Sequence, residues 1–297
     1  MADININMVH LEGISTTRSR GRFAGVSTGT WIGVVLFLVA SCTGIAVLLH
    51  PSLEELWTSQ DLRATFLPPA SPGHLLGTDS LGRDMFWRLL AGLGVSVFVG
   101  LGVAFISITL GLAAGILGGF FGRAADLTTN IVIDVTWAFP AILLAVVFAG
   151  WLGPGLPSVI LALALTGWAS FARIVRGEVL TLRERDYIAA AQVLGRSRIR
   201  ISLQHLVPNL LPLTFVMAVF FVATSIVAEA GLAFLGLGAQ PPIPSLGAIL
   251  AQGRDYLTTT WWPIILAGGL LTLLVLLLNS LSDQLRDRFD PRAGGQS

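Results

Sequence analysis

Six stretches of this chain are almost free of charge, and their length decides what it can fold into. They are Trp31–Leu49, Gly94–Gly118, Ile131–Trp151, Pro157–Ala172, Asn209–Ala228 and Pro263–Leu281. Only Asp134 interrupts the third, and the short fourth can extend past Arg173. A helix needs roughly 20 apolar residues to cross ~30 Å of hydrocarbon, so each stretch is a candidate span. Composition points the same way: 54% of the 297 residues are hydrophobic and 12% are charged. A soluble fold carries about 25% charged residues. Half that number cannot cover a water-soluble surface of this size, which comes close to excluding a soluble enzyme and also excludes disorder. The expectation is an all-α integral membrane protein with six transmembrane helices.

Six crossings put both termini on one side, and arginine decides which side. With the termini inside, the inner segments 1–28, 119–130, 173–208 and 282–297 hold 14 of the 18 basic residues, all of them Arg. Both termini are therefore expected in the cytoplasm. The expected organisation is a cytoplasmic tail over 1–28, a first helix with an external loop over 29–92, a core of five spans over 93–285, and a tail over 286–297. Arg18, Arg20 and Arg22 before an apolar run could suggest a signal peptide. That run has 19 residues, longer than a signal core of ~7–15, and ends in Leu-Leu-His-Pro, so it reads as an uncleaved anchor. The net charge of +1 gives no electrostatic case for nucleic acid.

Three loops are longer than connection requires, at 50–92, 173–208 and 229–262. The middle one is internal and carries seven Arg. Within it, Asp186–Gly195 reads as one short helix that starts after Arg185. Asp186 suits the positive end of the dipole. Tyr187, Ala190, Ala191 and Leu194 recur at i, i+3, i+4 and i+7 as one apolar stripe. Gly195 suits a C-terminal cap with positive φ. A second helix is expected to follow, with Ile199, Leu203 and Leu206 on one face, ended at the membrane by Pro208. Two readings fit this hairpin: it lies on the lipid surface with Arg to phosphate, or it docks a cytosolic partner.

The stretch resembles the EAA loop of ABC-importer permeases. Ala190, Ala191, Gly195 and Pro208 fall on the Ala-Ala, Gly and Pro of that pattern. Ala189, His205 and Val207 stand where it has Glu, Ile and Leu. His74–Asp84 (HLLGTDSLGRD) and Glu229–Gly247 (EAGLAFLGLGAQPPIPSLG) resemble the segments before the second span and after the fifth in dipeptide/oligopeptide/nickel permeases. Leu246 departs from the Trp that many members carry. The likeness runs from about residue 30 to Pro291 and is nearest to the C-subunit type. It implies a type I ABC importer transmembrane domain in a prokaryotic inner membrane, carrying di- or oligopeptides by alternating access. It also implies a second permease subunit, two cytosolic ATP-binding subunits that hold ATP and Mg, and an external solute-binding protein. Nickel or metallophore transport is the runner-up within the family.

Other residues bear on the alternatives. Asp134 is the one acid inside a clear span, so proton coupling and a structural bond are both open. Pro140 sits mid-span and should bend that helix. Glu229 either lines an outer polar cavity or marks the interface, and Gly231–Ala239 after it is too short to cross and could be re-entrant. Gly100, Gly102, Gly111, Gly115, Gly118 and Gly119 of the second span suit close helix packing. Without Lys no Gly-x-x-x-x-Gly-Lys-Ser/Thr loop can exist, so P-loop ATP hydrolysis is excluded for this chain. Cys42 is the one cysteine, and His10, His50, His74 and His205 lack ligand spacing, so no catalytic centre, cofactor or metal site is expected. An ion-coupled secondary transporter would need more intramembrane ionisable groups or an internal repeat. A non-transporting membrane subunit would leave the combined motifs unexplained.

Overall fold

A computed structural model describes residues 28–289. Eleven α-helices run in order: α1 Thr28–Leu49, α2 Glu54–Thr58, α3 Met85–Phe120, α4 Arg123–Trp137, α5 Ala141–Leu152, α6 Leu156–Leu182, α7 Asp186–Val193, α8 Arg198–Ile201, α9 Val207–Phe234, α10 Leu246–Gly253 and α11 Trp262–Phe289. Among the described residues there is no β-strand, only two isolated bridges, Ser71–His74 and Thr78–Asp84. Both bridges fold the segment before α3 onto itself.

Helix α3 is the central post. Its 36 residues make it ~54 Å long, more than the hydrocarbon alone needs. It begins where Asp84 accepts hydrogen bonds from the Phe86 and Trp87 amides, a side-chain cap on two otherwise orphaned donors. It therefore starts nine residues before the charge-free stretch, with Arg88 on its first turns. Its glycines are the contact points. Gly111 and Gly115 lie against Phe171, Ala172 and Val175 of α6, Gly119 against Val179, and Gly100 against Val222 and Ile226 of α9. A Cβ on Gly115 would sit 2.7 Å from Val175, so α3 and α6 meet almost backbone to backbone. Gly94 meets Gly44 of α1 in the same way. The main core then gathers Phe171, Val175, Val179, Ile188, Ile201, Leu206 and Leu210, a continuous seam from α6 through the 183–208 loop into α9.

Four helices are individually long and apolar enough to cross a membrane: Met85–Phe120, Leu156–Leu182, Arg198–Phe234 and Trp262–Arg286. The expected third span is not one helix. Arg123–Trp137 and Ala141–Leu152 meet at 87°, and counted as one broken span they make five among the described residues. The 22-residue α1 covers the first expected stretch.

The expected fifth stretch also needs correcting. One helical run goes from Arg198 to Phe234, through a π-turn at Ser202–Leu206. Pro208 does not end a helix. It lies within that run, directly after the π-turn, whose wider spacing accommodates a ring that has no N–H to donate. Gly231–Ala239 is not a separate re-entrant piece, because α9 continues to Phe234 and closes on Gly236 at φ +82°. The tails expected over 1–28 and 286–297 lie largely outside the described residues.

Candidate functional site

The loop after α6 is built as a rooted wedge. Arg185, extended at φ −76°, ψ 142°, precedes α7, and Asp186 opens its first turn. Ile188 and Ala191 point into the core beside Leu182, Ile201 and Leu206. Helix α7 stops through two bonds, Gly195 N–H to Gln192 O at 2.9 Å and Arg196 N–H to Ala191 O at 3.2 Å. That pair is a Schellman turn, and it requires the φ of +73° that Gly195 adopts. The stripe read from spacing is displaced by one position. Ile188 and Ala191 are the buried pair, whereas Tyr187 is 42% and Leu194 77% exposed, and Ala190 is exposed as well. In the second helix Leu206 is buried, but its buried companion is Ile201, while Ile199 and Leu203 face out. The π-turn at Ser202–Leu206 sets the five-residue step from Ile201 to Leu206, which a 3.6-residue count does not reproduce.

Arginines pin the wedge to the bundle. Arg183 Nη1 donates to Gly119 O at 3.3 Å, and Arg198 Nη1 to Phe121 O at 2.9 Å, both at the end of α3. Arg196 Nη1 donates to Gln204 Oε1 at 2.7 Å within the loop itself. An exposed row of Tyr187, Ala190, Val193 and Leu194 is thus carried on a helix whose other side belongs to the core.

A second cluster lies where α4 turns into α5. Pro140 is the residue before α5, and its ring helps end α4 at Trp137. Arg173 of α6 reaches Asp134 at 2.6 Å and stacks 3.9 Å from the Trp137 ring. Arg176 grips Asp126 with two bonds of 2.5 and 3.0 Å. Two arginines of one helix therefore hold both halves of α4. Spacing could have shown Arg173 and Arg176 on one face of α6, but not that α4 brings acids to meet them.

Glu229 is fully buried where α9, α3 and α10 meet, with Ser96 Oγ 3.5 Å from Oε2. Ser96 Oγ in turn accepts from the Leu246 amide at 3.2 Å. Within this chain the Glu229 side chain is thus enclosed between helices. Asp134, Pro140 and Glu229 do not converge on one site. A groove of about 780 Å³ between α6, α9 and α11 is lined by Ile174, Glu178, Asn209, Met217, Ser282 and Arg286, and none of the three expected residues lines it. Among the described residues no three His, Cys, Asp or Glu stand close enough to hold a metal.

A glycine-packed bundle of apolar helices with a broken span and a rooted wedge-helix defines a polytopic membrane protein. The model of the family "binding-protein-dependent transport system inner membrane component" matches residues 107–295. The chain belongs to that family, and it is a multi-pass protein of the bacterial inner membrane. A Brucella suis protein provisionally named a peptide transport system permease is 43% identical over 262 residues, covering 88% of this chain and 87% of that protein. The di/tripeptide transport system permease DppC of Pseudomonas aeruginosa is 38% identical over 88% of each chain. The oligopeptide transport system permease OppC of Bacillus subtilis is 36% identical over 84% of this chain and 83% of its own. In fold, the inward-facing MetNI methionine ABC transporter is similar at a TM-score of 0.57, covering 69% of this chain and 98% of that one at 22% identity.

Proposed function

We propose that this chain is a transmembrane permease subunit of an ATP-driven importer of di- or oligopeptides, working by alternating access. In this reading α1 and the broken α4–α5 complete six spans, and both termini are cytoplasmic. A second permease subunit forms a heterodimer with it. Two cytosolic subunits bind ATP and Mg, and an external binding protein delivers the solute.

What supports the mechanism is the construction of α7. Coupling needs an element that two sites can bias together, hence a rigid one. Ile188 and Ala191 root α7 in the same core as α6 and α9, so a push on its exposed row moves those two helices rather than bending a loop. Arg185, Asp186, Tyr187, Ala190, Ala191, Leu194 and Gly195 are the residues we assign to ATPase coupling, with Pro208 at the joint to α9. Peptide as the solute follows the names of the relatives above. A nickel or metallophore complex is the runner-up.

The test is reconstitution with the two ATPase subunits and the second permease in vesicles. Peptide uptake should require ATP and the binding protein, and Gly195→Val should leave ATP hydrolysis running while uptake falls at least about tenfold, the loss that ~1.4 kcal/mol of coupling represents. Normal uptake in that variant would remove the coupling assignment. Uptake without ATP that collapses in Asp134→Asn would favour an ion-coupled carrier.

A further inference from the structure

Where α3 gives way to α4, the surface carries a pattern that transport coupling does not use. Leu127, Ile131 and Val135 of α4 are each more than half exposed. They recur every four residues from Arg123, which is exposed as well, so one stripe of α4 begins with a cation and continues apolar. Leu117, in the last turn of α3, is also exposed. Arginines collect at the foot of the stripe. Arg198 Nη1 donates to Phe121 O at 2.9 Å and lies 3.8 Å from where a Cβ on Gly122 would stand, next to the Arg123 backbone. Arg183 Nη1 donates to Gly119 O, two residues before Phe121. Asp126 is the one acid between Leu117 and Ile133, and Arg176 engages both of its oxygens. Among the described residues none of the ion pairs includes Arg123, Arg183 or Arg198, so this end of the stripe keeps a positive surplus.

A phospholipid offers both halves of what matches this pattern. Apolar side chains on the outside of a membrane bundle lie against acyl chains, and basic side chains at their end meet the headgroup level. A guanidinium there takes two phosphate oxygens through parallel N–H donors. Basic clusters between helices at the membrane surface accordingly favour anionic head groups. A zwitterionic lipid presents the same phosphate but brings its own cation, so it gains less from the surplus.

We infer that Arg123 and Arg198 form a site for the phosphate of one anionic phospholipid, whose acyl chains lie along Leu127, Ile131 and Val135. The lipid belongs to the leaflet at this end of the bundle. The inference depends neither on which solute the protein carries nor on which side of the membrane the termini lie.

The experiment uses the full chain with its co-purifying partners, reconstituted in nanodiscs of phosphatidylcholine with a minor share of phosphatidylglycerol. After gentle extraction, the lipids that stay on the complex are counted by native mass spectrometry. Phosphatidylglycerol should be enriched about thirtyfold over its bulk share at one position per chain, the preference that two arginines at ~1 kcal/mol each represent. Arg123→Gln changes an exposed side chain and should lower that enrichment to about fivefold. Enrichment that is absent, or that is unchanged in Arg123→Gln, overturns the site. Inorganic phosphate that displaces the lipid would make a soluble phosphate the ligand and overturn it too. A second measurement places a spin label on Leu127→Cys in a Cys42→Ser background. Oxygen dissolved in the bilayer should reach the label. A label that oxygen does not reach puts a protein partner on this face and ends the inference.

Discussion

Gly195 shows how little of a residue's role lies in its contacts. A Cβ built there meets nothing within 4 Å, so space is not the constraint. The φ of +73° is, and a β-branched residue in that region costs ~1–2 kcal/mol. Valine and asparagine should therefore part company. Gly195→Asn, which tolerates the left-handed region, should keep most uptake, whereas Gly195→Val should lose it. If both fail equally in vesicle transport, the turn is recognised by contact rather than by conformation. Ser96 carries a second prediction. Its hydroxyl is the partner of the buried Leu246 amide, so Ser96→Ala leaves that donor unpaired at a cost of ~1–3 kcal/mol. Thermal unfolding of the detergent-solubilised chain should show it, and an unchanged Tm would mean that the α10 cap does not depend on Ser96. Asp134→Asn should behave quite differently. Its carboxylate pairs with Arg173, and the Trp137 ring also holds that arginine, so an amide at residue 134 can still accept from the guanidinium. Uptake driven by ATP should fall by less than about twofold.

At the scale of elements, the glycine face of α3 is the feature most sensitive to volume. Gly111 and Gly115 face Phe171, Ala172 and Val175, with Cβ positions 2.7–2.9 Å from their neighbours. Gly115→Leu should push α6 off α3 and cost ~1–3 kcal/mol or more, seen as loss of monodisperse protein on heating. Gly177→Leu, on the same α6 but with nothing within 4 Å, is the control and should be neutral. The glycines could be read as packing positions in advance because small residues at spacings of three and four serve close helix contact in hydrocarbon. The break at Pro140 was legible only in part. Proline announces a bend, but a bend of 87° needs both α4 and α5 to find separate partners on α6. Arg173 with Asp134 and Trp137, and Arg176 with Asp126, supply them for α4. Those partners are about 40 to 50 residues apart in the chain, outside the reach of any local pattern.

For the whole molecule, the decisive surface is the exposed row on α7. Leu194→Glu changes a side chain that is 77% exposed, so the permease should keep its own Tm. It should nevertheless come out of the membrane without its ATPase partners when tagged at the C-terminus. Wild-type chain purified in mild detergent should bring them along. Retention of the ATPases by Leu194→Glu would place their docking surface elsewhere.

The chain's sequence alone determined the class of environment, the number of apolar stretches and the glycine that ends α7, whereas the loop expected from residue 173 begins only after α6 ends at Leu182. Each depends on composition or on contacts a few residues apart. Tertiary structure alone decided which side of α7 faces the core, that the third stretch is two helices, that the helix runs on through Pro208 rather than ending there, and that Asp79, Arg83, Arg88 and Gln252 share one buried cluster. In that cluster Gln252 is 164 residues from Arg88. A π-turn shifts the phase of a helix without leaving a mark in the hydrophobic pattern. The burial of a charge depends on which distant groups arrive to meet it, and only the folded chain brings them together.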